Sequence, residues 1–153
     1  MSTRSTGVTL APPLIYLLFI GFAWALAVQL PLDVPRNAWT GYLGWGLIDI
    51  GVLLMLWSAV LMLRRKTTVN PFGKPTRLLE EGPFRLSRNP IYLADSLVYC
   101  GIALLLGSLW PWLLLPVLLQ CMQRGVIAHE EQLLRDLFGD AYRDYQARVR
   151  RWL

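Results

Sequence analysis

The stretch Tyr42–Lys66, YLGWGLIDIGVLLMLWSAVLMLRRK, is apolar from Tyr42 to Leu63 apart from the single charge of Asp49, and then ends in three consecutive basic residues. A helix rises about 1.5 Å per residue, so a run of this length crosses a hydrocarbon core of about 30 Å. Lys and Arg accumulate on the cytoplasmic side of membrane proteins. The stretch therefore predicts a transmembrane helix over residues 42–63 whose C-terminal end faces the cytoplasm.

Three further apolar runs lie on either side of this helix. Residues 11–30 carry no formal charge, and the runs 91–107 and 109–123 are separated at Gly107-Ser108. Because glycine favours the end of a helix, we expect the last two runs to form a helical hairpin. Ala25-Leu26-Ala27 resembles a signal-peptide cleavage site, but its apolar run is longer than is usual for a signal peptide. We therefore predict an all-α integral membrane protein with about four transmembrane helices, in a single domain over residues 1–153.

Composition and charge support this class. Apolar residues make up 55% of the chain and charged residues 16%, whereas a soluble domain has about 45–50% and about 25%. Of the 15 Lys and Arg residues, seven lie in residues 64–90 and six in residues 124–153. Both segments are expected in the cytoplasm, and four spans then place the N-terminus there too. The high apolar content excludes intrinsic disorder, and two cysteines are too few for a disulfide scaffold.

The net charge of +5 allows two interpretations. Basic clusters next to apolar spans usually set the topology and contact lipid headgroups. Nucleic-acid binding also uses basic surfaces, but the arrangement beside the spans favours the first interpretation. The expected partner is the lipid bilayer, and no nucleic acid is expected.

The loop before the third span is unusually long and contains four prolines. Gly82-Pro83 predicts a turn, and Pro90 fits the first turn of the following helix. Asn89 is then placed as the helix N-cap, with Arg88 beside the positive end of the helix. On the residues alone, a capped helix start at the membrane interface is the simpler interpretation, and a binding site is the alternative.

Residues 124–150 are polar, with apolar side chains recurring at spacings of three and four, which predicts a C-terminal amphipathic helix. His129-Glu130-Glu131 lies at its start, where acidic residues also favour the positive helix end. His129 is the only histidine of the chain, and position 133 is a leucine, so no metal site is expected.

A polar stripe runs down one face of the third span, where Tyr92, Asp95, Ser96 and Tyr99 fall at helical spacing. A carboxylate inside a span is costly and usually faces protein or water. Asp95 is therefore either a functional group or part of a structural hydrogen bond to a neighbouring helix.

Several of these residues together carry a resemblance to a known family. Gly82-Pro83-Phe84 and Ser87-Arg88-Asn89-Pro90-Ile91-Tyr92 are followed about 40 residues later by Glu130-Glu131, and then by Leu134, Phe138-Gly139, Tyr142 and Tyr145. Over residues 67–150 this ordered set resembles the isoprenylcysteine carboxyl methyltransferase family, which is related to the phospholipid N-methyltransferases. Asn89 stands where the family usually has histidine; asparagine forms hydrogen bonds but cannot carry a proton at neutral pH.

The resemblance implies that S-adenosylmethionine is the cofactor and that the cytoplasmic segments 67–92 and 124–150 bind it. An acid is needed for its ammonium group, and Glu130 is best placed to supply it. Arg88 or the amides at the start of the third span would take its carboxylate. The full set of implied cofactor contacts is Thr76, Arg77, Leu78, Leu79, Phe84, Arg88, Asn89, Pro90, Ile91, Tyr92, Glu130 and Glu131.

The resemblance also implies a lipidic or otherwise apolar small-molecule acceptor. Methylation of a carboxylate is favoured; the alternatives are phospholipid N-methylation and a non-catalytic protein with a degenerate pocket. Eukaryotic prenylcysteine enzymes hold the substrate carboxylate with an arginine, and here that position is Val126, with Arg124 two residues earlier. An amine acceptor would need a base. The candidate catalytic residues are Arg124, Asp95 and His129. The short chain and the Arg-Asn-Pro variant indicate a bacterial inner-membrane protein.

Overall fold

The structure is a computed structural model that describes residues 11–67 and 75–153. The predicted cytoplasmic N-terminus and residues 68–74 of the predicted cofactor segment lie outside the described residues. The described part is helical and contains no strands. Its α-helices are α1 (Pro12–Gln29), α2 (Ala38–Arg64), α3 (Pro90–Leu106), α4 (Trp110–Met122) and α5 (Ala128–Arg148), with a short 3₁₀ helix at Gly82–Arg85 and a π-turn at Gln123–Ile127.

Three of the described helices are long and apolar enough to cross a membrane: α1, α2 and the continuous helix Trp110–Arg148 that includes α4 and α5. The remaining apolar helix, α3, has 17 residues. Large apolar side chains such as Leu53 and Trp57 are exposed on the outer faces, where a bilayer solvates them. The predicted class, an all-α integral membrane protein, is confirmed.

Glycines bring α2 and α3 into close contact. A Cβ atom at Gly101 would lie 2.5 Å from the backbone oxygen of Gly44, and one at Gly51 would lie 2.8 Å from the backbone oxygen of Ala94. Apolar burial does not drive helix association in lipid, so such close van der Waals packing between backbones has to stabilise the pair. The α2–α3 pair therefore forms a tight scaffold on which the start of α3 is fixed.

The turn between α3 and α4 forms the predicted helical hairpin. Gly107 ends α3 in the left-handed conformation with φ of 63°, which costs glycine little. Residues of the α1–α2 connection pair with this turn, since Val34 N donates to Gly107 O and Leu109 N donates to Leu32 O, both at 2.9 Å. These bonds fix the end of the helix bundle farthest from the basic segments.

Most of the polar stripe of α3 is used inside the helix bundle. The hydroxyl groups of Tyr16 on α1 and Ser96 lie 2.9 Å apart, and the Tyr99 hydroxyl donates to Pro111 O at 2.9 Å. Tyr16 and Tyr99 are buried in the main apolar cluster together with Leu118 and Met122 of α4. The hydroxyl groups of Ser96 and Tyr99 therefore make structural hydrogen bonds to neighbouring helices, as one of the two interpretations of the stripe predicted.

The predicted fourth span and the C-terminal amphipathic helix form one continuous helix. The π-turn Gln123–Ile127 joins α4 to α5, and its residues Val126 and Ile127 are buried. A π-turn inserts one extra residue per turn and therefore changes which side chains of the following helix share a face. Farther along, Gly139 interrupts α5 with φ of 52°.

Candidate functional site

A cavity of about 400 Å³ lies where the start of α1, the end of α2, the start of α3 and α5 converge. Proteins hold cofactors and small molecules in cavities of roughly this size. Its lining combines charged, aromatic and apolar side chains from segments far apart in the chain. The lining residues are Pro12, Pro13, Met55, Ala59, Met62, Thr67, Pro75, Arg77, Leu78, Leu79, Phe84, Arg88, Asn89, Pro90, Ile91, Tyr92, Glu130, Leu133, Leu134 and Tyr145.

The cavity brings together ten of the twelve residues that the sequence proposed as cofactor contacts. These ten are Arg77, Leu78, Leu79, Phe84, Arg88, Asn89, Pro90, Ile91, Tyr92 and Glu130. Thr76 and Glu131 do not line it. Thr76 instead donates its hydroxyl to Lys66 O at 2.9 Å, which ties the chain between the lining residues Pro75 and Arg77 to the end of α2.

Glu130 supplies the carboxylate of the cavity. It lies in α5, beyond the apolar part of that helix, and its Oε1 accepts a hydrogen bond of 2.5 Å from the Tyr92 hydroxyl. Burial raises the pKa of Glu130 to about 7, while the hydrogen bond from Tyr92 acts in the opposite direction. A carboxylate that is costly to ionise alone gains strongly from a cationic ligand group in the same cavity.

Arg88 supplies a cation to the same cavity. Its Nη2 lies 3.3 Å from Glu131 Oε1. The buried Nε and Nη1 atoms have no hydrogen-bond partner among the described residues. Buried donors are almost always paired in folded proteins, so these two atoms leave part of the hydrogen-bonding capacity of Arg88 unused. The Arg88 side chain is 11% exposed, which leaves only a small part of it in contact with the cavity.

Glu131, which the sequence placed among the cofactor contacts, faces the other way. It is only 3% exposed and accepts two hydrogen bonds from Arg151, at 2.9 Å to Nε and 2.7 Å to Nη2. Consecutive helical residues point about 100° apart. Glu130 therefore contacts Tyr92 and lines the cavity, whereas Glu131 contacts Arg151 and does not line it.

The start of α3 differs from the predicted cap. Asn89 occupies the N-cap position, but its side chain makes no capping bond within the described residues. The side-chain Nδ2 of Asn89 instead donates to Arg151 O at 3.2 Å, and the backbone N–H of Asn89 donates to Ser87 Oγ at 3.1 Å. The first turn of α3, where Ile91 and Tyr92 line the cavity, thus retains the positive end of the helix.

An aromatic pair forms part of the cavity wall near the 3₁₀ helix. The Tyr145 hydroxyl donates to Phe84 O at 2.6 Å, which ties α5 to the turn that follows Gly82. Burial raises the pKa of the Tyr145 hydroxyl. Both residues border the cavity, and aromatic rings stack on planar rings or contact cations.

The sequence analysis did not assign the apolar side chains of α2 and α5 to the cavity, although Leu134 belongs to the ordered set that carries the resemblance. Met55, Ala59 and Met62 follow one face of α2 at helical spacing, and Leu133 and Leu134 line the same cavity from α5. Each lies in an apolar pattern that fits lipid contact or core packing equally well. The only available signal was their helical register relative to the basic end of α2.

The three candidate catalytic residues do not line the cavity. Arg124 and His129 are exposed. Asp95 is buried in α3, and its Oδ2 has no hydrogen-bond partner in the part of the chain that the structure describes. Asp95 lies one helical turn after the cavity residue Tyr92, and His129 directly precedes the cavity residue Glu130.

The fold defines an integral membrane protein with a cavity at the basic end of its helices, lined by both charged and apolar residues. A family model described as phospholipid methyltransferase matches residues 39–141, which are 103 of the 153 residues. The chain belongs to this family and is a membrane methyltransferase, which confirms the resemblance found in the sequence. An uncharacterized protein of Haemophilus influenzae is 38% identical over 63 residues, which are 41% of this chain and 100% of that protein. No solved structure matches significantly.

Proposed function

We propose that the chain transfers a methyl group from S-adenosylmethionine to an acceptor with an apolar tail, using the cavity at the start of α3. The observation that carries the proposal is the pairing of opposite charges in one cavity. Glu130 and Arg88, one acid and one base, both line it. This pair is complementary to the ammonium and carboxylate of an α-amino acid, which is one end of S-adenosylmethionine.

The residues present fit the cofactor group by group. Glu130 would hold the ammonium, while Arg88 and the first-turn amides of α3 would hold the carboxylate. Phe84 and Tyr145 would border the adenine. S-adenosylmethionine, when bound, supplies a methyl group attached to a positively charged sulfur.

The other cavity residues support this transfer by positioning and by excluding water. In-line displacement depends on alignment of the acceptor atom with the methyl group, and a dry site avoids competing solvation. Met55, Ala59 and Met62 form an apolar wall that extends along α2. We assign this wall to the tail of the acceptor, since it belongs to the helix that crosses the bilayer.

The nature of the lining favours a carboxylate as the acceptor group. With Glu130 committed to the cofactor ammonium, the described lining holds no second carboxylate and no imidazole. A carboxylate acceptor is anionic at neutral pH and needs no base, whereas an amine must lose a proton. O-methylation of an apolar carboxylate therefore requires nothing beyond the residues observed.

The family description favours a second candidate, a phospholipid amine as acceptor. In that case a base would have to come from outside the described lining, and Asp95 is the nearest buried carboxylate along α3. For either acceptor we propose one domain in a bacterial inner membrane, with both termini in the cytoplasm.

Cofactor binding is tested by isothermal titration of the detergent-purified protein with S-adenosylhomocysteine, the product that keeps the amino-acid end. We expect binding by the natural protein, with a loss of at least about tenfold in Glu130→Ala. Asp140→Asn is the matched control, because Asp140 lies on the same helix, is exposed and pairs only with Arg143 among the described residues. No binding by the natural protein would favour a non-catalytic role and refute the proposal.

The acceptor is identified by transfer of labelled methyl groups into membrane lipid extracts. A label released by mild base is an ester and supports the carboxylate acceptor. A label that survives base and stays with the headgroup is a methylamine and supports the phospholipid acceptor instead.

A further inference from the structure

The segment 149–152 forms hydrogen bonds with the three consecutive residues 87–89, which lead into α3. Arg88 N donates to Arg150 O at 3.0 Å. Ser87 Oγ donates to Arg151 O at 3.1 Å, and Asn89 Nδ2 donates to the same oxygen at 3.2 Å. Two of these three residues, Arg88 and Asn89, line the cavity. The segment 149–152 is therefore hydrogen-bonded to two residues of the cavity lining, although it does not itself line the cavity.

Side chains reinforce these backbone contacts. Glu131 binds Arg151 through two hydrogen bonds and lies 3.3 Å from Arg88, so one carboxylate joins the segment to the cavity arginine. Trp152 packs against the main apolar cluster. The segment is thus held in place by the ion pair of Arg151 and by the apolar packing of Trp152.

The charges in this cluster do not balance. Arg88 and Arg151 contribute two positive charges, and Glu131 contributes one negative charge that is only 3% exposed. Arg151 is partly exposed, so solvent screens its charge, and it is also bound by Glu131 through two hydrogen bonds. Arg88 is the more buried arginine, with its side chain 11% exposed. A carboxylate in the cavity, from Glu130 or from a ligand, would add to the charge compensation of Arg88.

We propose that Glu131 and Arg151 are positioning residues that act through Arg88. Glu131 holds Nη2 of Arg88, a residue of the cavity lining, and the segment 149–152 fixes the backbone of Arg88 through the bond from Arg88 N to Arg150 O. The pair thereby sets the affinity for the carboxylate of a bound amino acid. This inference rests on the proposed function, since it assigns that carboxylate to the cofactor.

The test compares two ligands that differ only at the amino-acid end. S-adenosylhomocysteine carries the carboxylate, and 5′-methylthioadenosine lacks it. Glu131→Gln is expected to weaken S-adenosylhomocysteine binding by roughly tenfold and to change methylthioadenosine binding by less than about twofold. The control Asp140→Asn should change neither, because it removes an exposed carboxylate from the same helix.

A double-mutant cycle shows whether Glu131 acts through Arg88. In an Arg88→Ala background, Glu131→Gln should cause no further loss of S-adenosylhomocysteine affinity. If Glu131→Gln does not fold, as judged by gel filtration and thermal unfolding in detergent, Arg151→Lys carries the same test, because it keeps the charge and loses the two-bond geometry.

Three results would overturn the inference. Equal losses for both ligands would show a merely structural role, and additive losses in the cycle would show that Glu131 acts independently of Arg88. An unchanged affinity in the folded variant would show no role at all. Absence of ligand binding by the natural protein is a separate outcome, which removes the proposed function and the inference together.

Discussion

Cofactor affinity should depend on pH through Glu130. Burial raises the pKa of this carboxyl to about 7, and only the ionised form pairs with an ammonium group. As the pH falls through 7, Glu130 takes up a proton and affinity is lost; above 7 the affinity reaches a plateau. For a pKa of about 7, the dissociation constant should be about twofold above its plateau value at pH 7 and about 11-fold above it at pH 6.

The measurement is a titration of S-adenosylhomocysteine into the detergent-purified protein between pH 5.5 and 8.5, at about half-unit intervals. Glu130→Gln serves as the control, because it keeps a hydrogen-bond acceptor for Tyr92 and cannot ionise. Any pH dependence left in Glu130→Gln belongs to the ligand or to other groups. The difference between the two profiles isolates Glu130.

A flat profile for the natural protein, or a profile identical to that of Glu130→Gln, would refute the reasoning. A Glu130 with the ordinary glutamate pKa of about 4.3 would give such a nearly flat profile over this pH range. That result would mean that Glu130 is well solvated rather than buried in the cavity lining.

Three further predictions concern separate parts of the molecule. Tyr92→Phe removes the hydrogen bond to Glu130, so the midpoint of the same binding profile should move above 7. Gly101→Ala places a Cβ atom 2.5 Å from a backbone oxygen of α2 and should lower the thermal unfolding midpoint by several degrees, roughly 2 kcal/mol of overpacking, whereas Gly21→Ala, with open space around it, should not. Ala59→Phe should fill the apolar wall, reducing labelled-methyl transfer at least about tenfold while S-adenosylhomocysteine binding stays within about twofold; equal loss of both would contradict the assignment of this wall to the acceptor.

The helices were largely predictable because a bilayer demands long apolar runs. The predicted runs 11–30, 91–107 and 109–123 nearly coincide with α1, α3 and α4. By contrast, α2 begins at Ala38, four residues before the predicted start at 42. A capping box between Asn37 and Thr40 starts the helix there. Hydropathy does not register such a cap, because its residues are polar.

Site residues could be predicted where a sequence motif presents a polar group suited to the ligand. They could not be predicted where the direction of a side chain depends on the rotation of its helix. Arg88, Tyr92 and Glu130 were selected for the groups they present, and the fold brings all three to one cavity. The neighbouring Glu131 was selected with equal reason, yet it faces away from the cavity. Its direction depends on the π-turn before it, which no simple periodicity predicts.

The π-turn at Gln123–Ile127 sets a limit on how the length of this chain can vary. Each residue added to or removed from a helix rotates everything beyond it by about 100°. A one-residue deletion at Gly125, whose surroundings are open, would restore an ordinary helix yet turn Glu130 away from Tyr92. Insertions and deletions are therefore restricted between α4 and Glu130, although this stretch contributes no side chain to the cavity before Glu130 itself.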